Sequence, residues 1–201
     1  MTVIGITGPS GAGKGEVSRI LQTKYGFSVI DADSIYHSLV SAPSPCLDEI
    51  ILHFGKNVID RSGGLDRQAL GKLVLGERNR ERLLLLNNIT HKFVVKEIRE
   101  KIKQCKFEKS NCVIDAPLLI EAGLNGDCDF TVSVLAIDSV RAERISRRDN
   151  ISLDDAKVRI SSQKSDSFYV SNTDHSIINN GDIRLIESSV FEILSERRVI
   201  I

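Results

Sequence analysis

The chain has 201 residues, of which 41% are apolar and 27% charged, the proportions of a globular protein with a core of ordinary size. Its 27 basic residues balance its 27 acidic ones, which argues against a partner held mainly by bulk positive charge, such as duplex nucleic acid. No apolar run approaches the roughly 20 residues of a membrane-spanning helix, so we expect neither a nucleic-acid nor a membrane partner. Four cysteines without a CxxC pair indicate reduced thiols, which predicts a cytoplasmic protein without disulfides or zinc.

The first 31 residues predict a β-α-β unit that includes a Gly-rich loop. Residues 2–7 form an apolar, β-branched run typical of a buried strand. Residues 16–25 place Val17, Ile20 and Leu21 at the spacing of one helix face, and Gly26 follows as a helix-ending residue. Residues 28–31 predict the second strand, so the loop connects a strand to a crossover helix.

Strands and helices are predicted along the rest of the chain as well. Strands are predicted at 112–115, at 130–135 and near 176–178, and helices at 46–54, 66–75, 80–103, over two stretches of 139–162 broken around Asn150, and at 183–197. This pattern predicts an α/β fold, with a parallel sheet of about five strands covered by helices on both faces. We expect one domain, with a core of 1–40, 108–140 and 174–201, a helical insert of 41–107 and a lid of 141–173.

Residues 8–15 read GPSGAGKG and match the phosphate-loop pattern GxxxxGK[ST] at every fixed position but the last. Glycines let successive N–H groups turn toward a phosphate, and the following helix directs its positive end at the same anion. This predicts a P-loop NTPase, a three-layer sandwich, with Lys14 on the β- and γ-phosphates of ATP. The residues expected to hold ATP are Gly8, Gly11, Ala12, Gly13, Lys14, Gly15 and Glu16. The alternative is a Gly-rich turn that binds nothing, but the loop lies between a strand and a helix, where phosphate binding requires it.

Position 15 departs from the phosphate-loop pattern. A Ser or Thr there normally contacts Mg²⁺, and Gly15 has no hydroxyl. Two interpretations stay open. Either water, Asp31 or Glu16 replaces this contact in an active enzyme, or the activity is weakened or lost.

Three carboxylates follow predicted strands. Asp31 and Asp33 close the second strand, and Asp115 closes the third. Acids at such positions accept a proton from an attacking hydroxyl or hold a metal ion, and we expect Asp31 and Asp115 to hold Mg²⁺, directly or through water. Helix capping, by Asp33 or Ser34 after the second strand and by Asp115 after the third, is the alternative.

The two helices predicted within 139–162 carry Arg141, Arg144, Arg147, Arg148 and Arg159. Such a row is most often a solvated helix face. In a kinase, however, a lid uses guanidinium groups to grip the transferring phosphoryl group and exclude water. Arg144 and Arg148 share a helix face, whereas Arg147 and Arg148 cannot both face the site.

Segments spread over nearly the whole chain carry a resemblance to a known family. They are, in chain order, GITG at 5–8, GAGK at 11–14, DAD at 31–33, FG at 54–55, GLDR at 64–67 with Leu70, LNNITH at 86–91, DAPLLIEAGL at 115–124, RI at 144–145, RD at 148–149, RI at 159–160 with Gln163, and Ile177 with NNG at 179–181. Many kinases share the phosphate loop, but DAD, PLL.E and RD…RI..Q in this order are far more specific. In these segments the chain resembles dephospho-CoA kinase, which uses ATP to phosphorylate the 3′-hydroxyl of the dephospho-CoA ribose.

The resemblance implies ATP, Mg²⁺ and dephospho-CoA as ligands, and it implies roles for individual residues. Asp33 would be the general base, and Lys14 and Arg144 would act at the phosphates. Asn179 and Gly181 would lie near the adenine of ATP. The insert would form the CoA side, with Asp33, His91, Leu118 and Arg159 as substrate-binding residues, although His91 is equally well explained as a helix-packing residue. We expect a monomer or a weak homo-oligomer.

The chain departs from this family at three places. Gly15–Glu16 stands where the family has Ser–Thr, Lys92 follows His91 where the family has proline, and residues 164–167 are less basic than the family's lid. The first difference concerns metal binding and the third concerns lid charge. Two alternative functions therefore stay open: another P-loop kinase that acts on a nucleoside or nucleotide, and a nucleotide-binding regulator with weakened activity.

Overall fold

Five strands form one sheet in the part of the chain that the structure describes, residues 1–41, 43–76 and 79–200 of this computed structural model. They are β1 (Val3–Thr7), β2 (Ser28–Asp31), β3 (Cys112–Asp115), β4 (Phe130–Leu135) and β5 (His175–Ile178). Their order across the sheet is β2-β3-β1-β4-β5; β1 pairs in parallel with β3 and β4, and β4 pairs in parallel with β5. The predicted α/β fold with a parallel sheet of about five strands is confirmed.

The described α-helices are α1 (Lys14–Tyr25), α2 (Ala32–Ser41), α3 (Pro45–Phe54), α4 (Arg67–Val74), α5 (Arg80–Glu108), α6 (Asp138–Asp149), α7 (Leu153–Ser161), α8 (Asp166–Ser171) and α9 (Ile183–Glu196). Gly26 and Asn150 end α1 and α6 in the left-handed conformation, as their positions in the sequence predict. The sequence patterns miss α2 and α8 and end α5 at 103 rather than 108. Among the described helices, none combines the length and apolar character needed to cross a membrane.

The first of two compact units contains residues 1–30 and the chain from 102 onward. On one face of its sheet, Ile4 and Ile6 are buried in a cluster with apolar residues of α1 and α9. Gly5 points to the other face, where an added Cβ would lie 2.7 Å from side-chain atoms of both Leu119 and Cys128. Strand β1 is therefore tightly packed on both faces, which fixes the strand that leads into the phosphate loop.

The second unit, residues 31–101, has an apolar core of its own. Its buried residues include Val40 from α2, Leu47 from α3, Leu70 from α4 and Ile89 from α5. Side chains cap two of these helices: Ser44 Oγ accepts the Leu47 N–H at the start of α3, and Asp66 accepts two N–H groups at the start of α4. Each unit is thus stabilised by its own buried cluster.

Candidate active site

The loop of residues 8–13, between β1 and α1, is confined by close neighbours. Gly8 and Gly13 have φ angles of 144° and 90°, which L side chains rarely adopt. An added Cβ would lie 2.2 Å from the Val134 carbonyl oxygen at Gly8 and 2.2 Å from Asn179 Nδ2 at Gly13. Side chains at these two positions would therefore collide with their neighbours, so the loop conformation requires glycine at both.

The amino end of α1 presents backbone N–H groups at the end of this loop. Gly13 is the N-cap residue and has no side chain to accept a hydrogen bond from them. The helix dipole adds positive charge at the same point, an arrangement that favours phosphate. Lys14, the first residue of α1, folds back over the loop and donates from Nζ to the carbonyl oxygens of Gly8 at 2.9 Å and Pro9 at 3.5 Å.

Arg144 on α6 connects the loop to the segment that follows β5. Its Nη1 donates to the carbonyl oxygens of Gly11, Ala12 and Asn179 at 3.0–3.3 Å, and its Nη2 donates to Asn179 Oδ1 at 2.9 Å. Asn179 is 3% exposed and donates its own N–H to the Leu135 carbonyl at 2.7 Å. The structure thus brings together Arg144, Asn179 and the loop, and Gly181 follows two residues later with a φ of 118°.

Ser10, in the middle of the loop, is held by Gln163, which belongs to the lid segment of the resemblance, and by Arg141, one of the arginines for which the sequence left open a solvated face or a grip on the phosphoryl group. Gln163 Oε1 accepts the Ser10 N–H at 3.1 Å and also accepts from Arg141 Nη2 at 2.7 Å. Arg141 is 3% exposed, and its Nε donates to the Ser10 carbonyl at 3.0 Å. The loop backbone is therefore tied to α6 and to the residues just after α7.

Asp149 binds two arginines, one of which also contacts the loop. It accepts a two-pronged hydrogen bond from Arg148 at 2.7 and 2.9 Å and pairs with Arg159. Hydrogen bonding from Arg148, followed by the charges of Arg148 and Arg159, lowers the pKa of Asp149 to about 2. Both Arg147 and Arg148 are exposed, but Arg148 also donates to Ser10 Oγ at 3.2 Å. Of these two neighbours, Arg148 is thus the one beside the loop.

Asp115 ends β3, the strand beside β1, and Ser18 on α1 binds it. Ser18 Oγ donates to Asp115 Oδ2 at 2.7 Å, and Ser18 is 4% exposed. Ser18 belongs to none of the sequence motifs described above. The sequence could have indicated that Ser18 is important, because it is a polar residue on the helix face that also carries the buried Val17, Ile20 and Leu21. Leu118, in the turn that follows β3, is 44% exposed, as a residue that contacts a ligand can be.

The residues present fit a Mg²⁺ ion held mainly through water and phosphate. The Asp115 carboxylate is the kind of oxygen ligand that Mg²⁺ prefers. An added Cβ at Gly15 meets no atom within 4 Å, which leaves room for water. Glu16, one of the proposed substitutes for the missing hydroxyl, forms a 2.5 Å ion pair with Arg19. Among the described residues, no group of three or more His, Cys, Asp or Glu side chains is placed to hold a metal ion.

Asp31, Asp33 and His91 belong to the second unit. Asp31 Oδ1 accepts the Ser34 N–H at 2.8 Å, so the capping role that the sequence left open for Asp33 or Ser34 is performed by Asp31. Asp33 is exposed in the first turn of α2. His91 is partly buried within α5. The exposed carboxylate of Asp33 is accessible to a substrate, as a general base must be.

Comparisons with known proteins agree over most of the chain. The family model of dephospho-CoA kinase (CoaE) matches residues 2–184. A dephospho-CoA kinase of Carboxydothermus hydrogenoformans is 39% identical over 98% of this chain and 94% of its own length. The dephospho-CoA kinase CAB5 of Saccharomyces cerevisiae is 35% identical over 91% of this chain and 77% of its own. The crystal structure of TT1252 from Thermus thermophilus superposes with a TM-score of 0.78 at 27% identity and covers 97% of both chains.

Proposed function

The chain belongs to the dephospho-CoA kinase family, and we propose that it transfers the γ-phosphoryl group of ATP to the 3′-hydroxyl of the dephospho-CoA ribose, the last step of coenzyme A synthesis. The observation that carries the proposal is the loop of residues 8–13, which leads into the uncapped amino end of α1 and is held by Arg144. This arrangement suits the phosphates of a nucleotide. The names of the relatives supply the acceptor, dephospho-CoA.

The loop and the start of α1 bind the phosphates of ATP in this proposal. The backbone N–H groups of Gly11, Gly13, Lys14 and Gly15 donate to phosphate oxygens, as their position at a helix amino end favours. The N–H groups of Ala12 and Glu16 already donate to the carbonyls of Pro9 and Gly13, at 3.3 and 3.0 Å, and support the turn that surrounds the phosphates. Lys14 leaves the Gly8 and Pro9 carbonyls and offsets the charge of the β- and γ-phosphates. Bound Mg²⁺ supplies further neutralisation of the phosphate charge, and Asp115 and Asp31 are the residues that would hold it.

Asp33 removes the proton from the attacking hydroxyl. The ribose O3′ forms a bond to the γ-phosphorus, the bond from that phosphorus to the β–γ bridging oxygen breaks, and ADP leaves. Asp33 accepts the proton that O3′ loses. His91, Leu118 and Arg159 bind the acceptor, while Asn179 and Gly181 lie beside the adenine.

Arg144 acts by holding the loop in the shape that receives the phosphates. Its guanidinium binds the carbonyls of Gly11 and Ala12, so the N–H groups of the same turn are directed away from it. The lid of residues 141–173 closes over the nucleotide and excludes water. Arg141, Arg148 and Gln163 bind Ser10, so the parts of the lid that carry them stay attached to the loop when the rest of the lid closes.

We also propose a cytoplasmic enzyme that is monomeric or a weak homo-oligomer. The four cysteines are free thiols, as the reducing cytoplasm maintains. Sedimentation over a range of protein concentrations measures the oligomeric state, and a stable large assembly would contradict this part of the proposal.

Separate incubations with dephospho-CoA, nucleosides and nucleotides test the function, with ADP release measured in Mg²⁺ and ATP. We expect turnover with dephospho-CoA and a product heavier by one phosphoryl group, with the 3′ position identified by ³¹P NMR. The Lys14→Ala variant, which keeps the fold, should show no transfer. Turnover with nucleosides alone would identify a different kinase, and ATP binding without any transfer would favour the regulator.

A further inference from the structure

The missing hydroxyl at position 15 leaves open space at the start of α1. The nearest heavy atoms lie more than 4 Å from an ideal Cβ at Gly15, apart from its chain neighbours and its own helix. In P-loop enzymes the hydroxyl at this position is a protein ligand of Mg²⁺. A metal ion bound here would carry a water in its place, and water is held less rigidly than a side chain.

Ser18 offers a hydroxyl one turn further along the same helix. It is 4% exposed and lies among Val17, Ile20 and Leu21 on the buried face of α1. Its Oγ donates to Asp115 Oδ2 at 2.7 Å, the usual distance of an O–H···O hydrogen bond. The hydroxyl of this buried serine, on an otherwise apolar helix face, is therefore hydrogen-bonded to the Asp115 carboxylate at the carboxyl end of β3.

This hydrogen bond restrains the orientation of Asp115. The terminal torsion of an aspartate has a broad energy minimum, so the carboxylate plane rotates easily without a partner. A donor on a rigid helix restricts that rotation. Such restraint matters most where a metal has few protein ligands, since groups that hold a ligand in place contribute about 10–100-fold to metal affinity.

We propose that Ser18 is a positioning residue for the metal site: it holds Asp115 in the orientation that receives hydrated Mg²⁺, and it thereby compensates for the absence of a hydroxyl at Gly15. This inference rests on the proposed ATP-dependent function and deepens it. Mg²⁺ suits such a site because it retains several waters and needs only one or two carboxylates in addition to phosphates. Gly15 and Ser18 occur together in this chain, three residues apart on one helix.

The test measures nucleotide binding rather than turnover. The affinity for ADP and for a non-hydrolysable ATP analogue is determined by calorimetry in EDTA and over a series of Mg²⁺ concentrations. We expect Ser18→Ala to leave the metal-free affinity within about twofold and to raise the half-saturating Mg²⁺ concentration by about 10-fold or more. Adding Gly15→Ser to Ser18→Ala should restore most of this loss, because the open space at position 15 accepts the new side chain.

Thr23→Ala is the matched control, since Thr23 lies on the same helix, is exposed and donates from Oγ1 to the Arg19 carbonyl. It should leave the Mg²⁺ dependence unchanged. If Ser18→Ala fails to fold, Ser18→Cys replaces it, because a thiol is a weaker hydrogen-bond donor than a hydroxyl. It should also raise the half-saturating Mg²⁺ concentration, and an unchanged value would overturn the inference.

The outcomes separate the inference from the proposed function. Equal Mg²⁺ dependence in the natural chain and Ser18→Ala overturns the inference and leaves the function standing. Equal loss of affinity with and without Mg²⁺ also overturns it, because Ser18 would then act on the fold or on the loop. A natural chain that binds no nucleotide under any condition overturns both.

Discussion

At Gly13 the backbone conformation and the surrounding atoms both exclude a larger residue. Its φ of 90° costs other residues about 1–2 kcal/mol, and an added Cβ would lie 2.2 Å from Asn179 Nδ2. We therefore expect Gly13→Ala to displace Asn179 and Arg144 and to abolish measurable ATP binding. Calorimetric titration with ATP, together with urea unfolding, measures both effects.

The control for this change is Gly126→Ala. Gly126 has no atom within 4 Å of an added Cβ, and its φ lies outside the left-handed range. Its substitution should change the free energy of unfolding by less than about 1 kcal/mol and leave ATP affinity unchanged. Normal ATP binding by Gly13→Ala would contradict the role given to this glycine.

The proposed base, Asp33, permits a direct test because it is exposed in the first turn of α2. We expect Asp33→Asn to lower kcat by about 10²–10⁴-fold, since the amide accepts no proton from the ribose hydroxyl. The KM for ATP should change little. Asp48→Asn is a matched control, because Asp48 is also an exposed acid in the first turn of a helix. Comparable rates for the two variants would remove Asp33 from the mechanism.

Part of the site could be predicted residue by residue from the sequence, and part could not. The loop could, because a local pattern determines its conformation and its place between strand and helix. The contacts of Ser18 and Gln163 could not, because their partners Asp115 and Ser10 lie 97 and 153 residues away in the chain. Only the assembled sheet brings these pairs together. Residue periodicity shows which face of α1 is buried, but not what that face contacts.

At the scale of elements, helix α6 is attached to the phosphate loop by a buried guanidinium. Arg141 donates to the Ser10 carbonyl, to Gln163 and to Asp138, and it is 3% exposed. We expect Arg141→Ala to lower the free energy of unfolding by about 2–3 kcal/mol, since hydrogen bonds from a charged donor are lost together with buried side-chain packing. It should also raise the KM for ATP, because the Ser10 carbonyl loses its hydrogen bond from Arg141 on α6.

Arg147→Ala serves as the comparison, since Arg147 lies on the same helix and is exposed. It should change the free energy of unfolding by no more than about 0.5 kcal/mol. Urea unfolding and steady-state kinetics measure the two variants side by side. If they prove equally stable, the buried guanidinium does not anchor α6.

The sequence locates strands more accurately than short helices. The strands are apolar runs bounded by loop residues, and β3 and β4 match their predicted bounds. Helix α2 is missed because it follows β2 without an intervening loop and because Asp31, interpreted as a metal ligand, caps it. Helix α8 has six residues, fewer than two turns, which is too short for a helical periodicity to be recognised in the sequence.

For the whole molecule, the buried thiol of Cys112 and the partly buried thiol of Cys128 predict a loss of stability at alkaline pH. Burial raises the pKa of Cys112 and of Cys128 to about 12. In the unfolded chain these thiols lose their protons near pH 8.5. Between about pH 9 and pH 12 the unfolded chain therefore binds fewer protons than the folded one, and the free energy of unfolding falls as pH rises. The expected slope is at most about 1.4 kcal/mol per pH unit for each thiol.

Urea unfolding under reducing conditions at pH 8, 9 and 10 measures this slope. Cys128→Ala removes one of the two thiols, so its stability should fall less steeply with pH than that of the natural chain. The comparison of slopes also removes the contribution of lysines and tyrosines that titrate in the same range. Parallel slopes would mean that Cys128 is not buried as a neutral thiol.

The central position of β1 has a consequence for biosynthesis. Val3 pairs with Cys112, and Ile4 pairs with Phe130, so both neighbours of β1 lie more than 100 residues further along the chain. At a synthesis rate of about 5–20 residues per second, the ribosome takes roughly 5–25 s to deliver them after β1 has emerged. During that interval an apolar strand and the glycine loop attached to it are exposed without partners, so a nascent chain is a natural client for chaperones until β4 has been made.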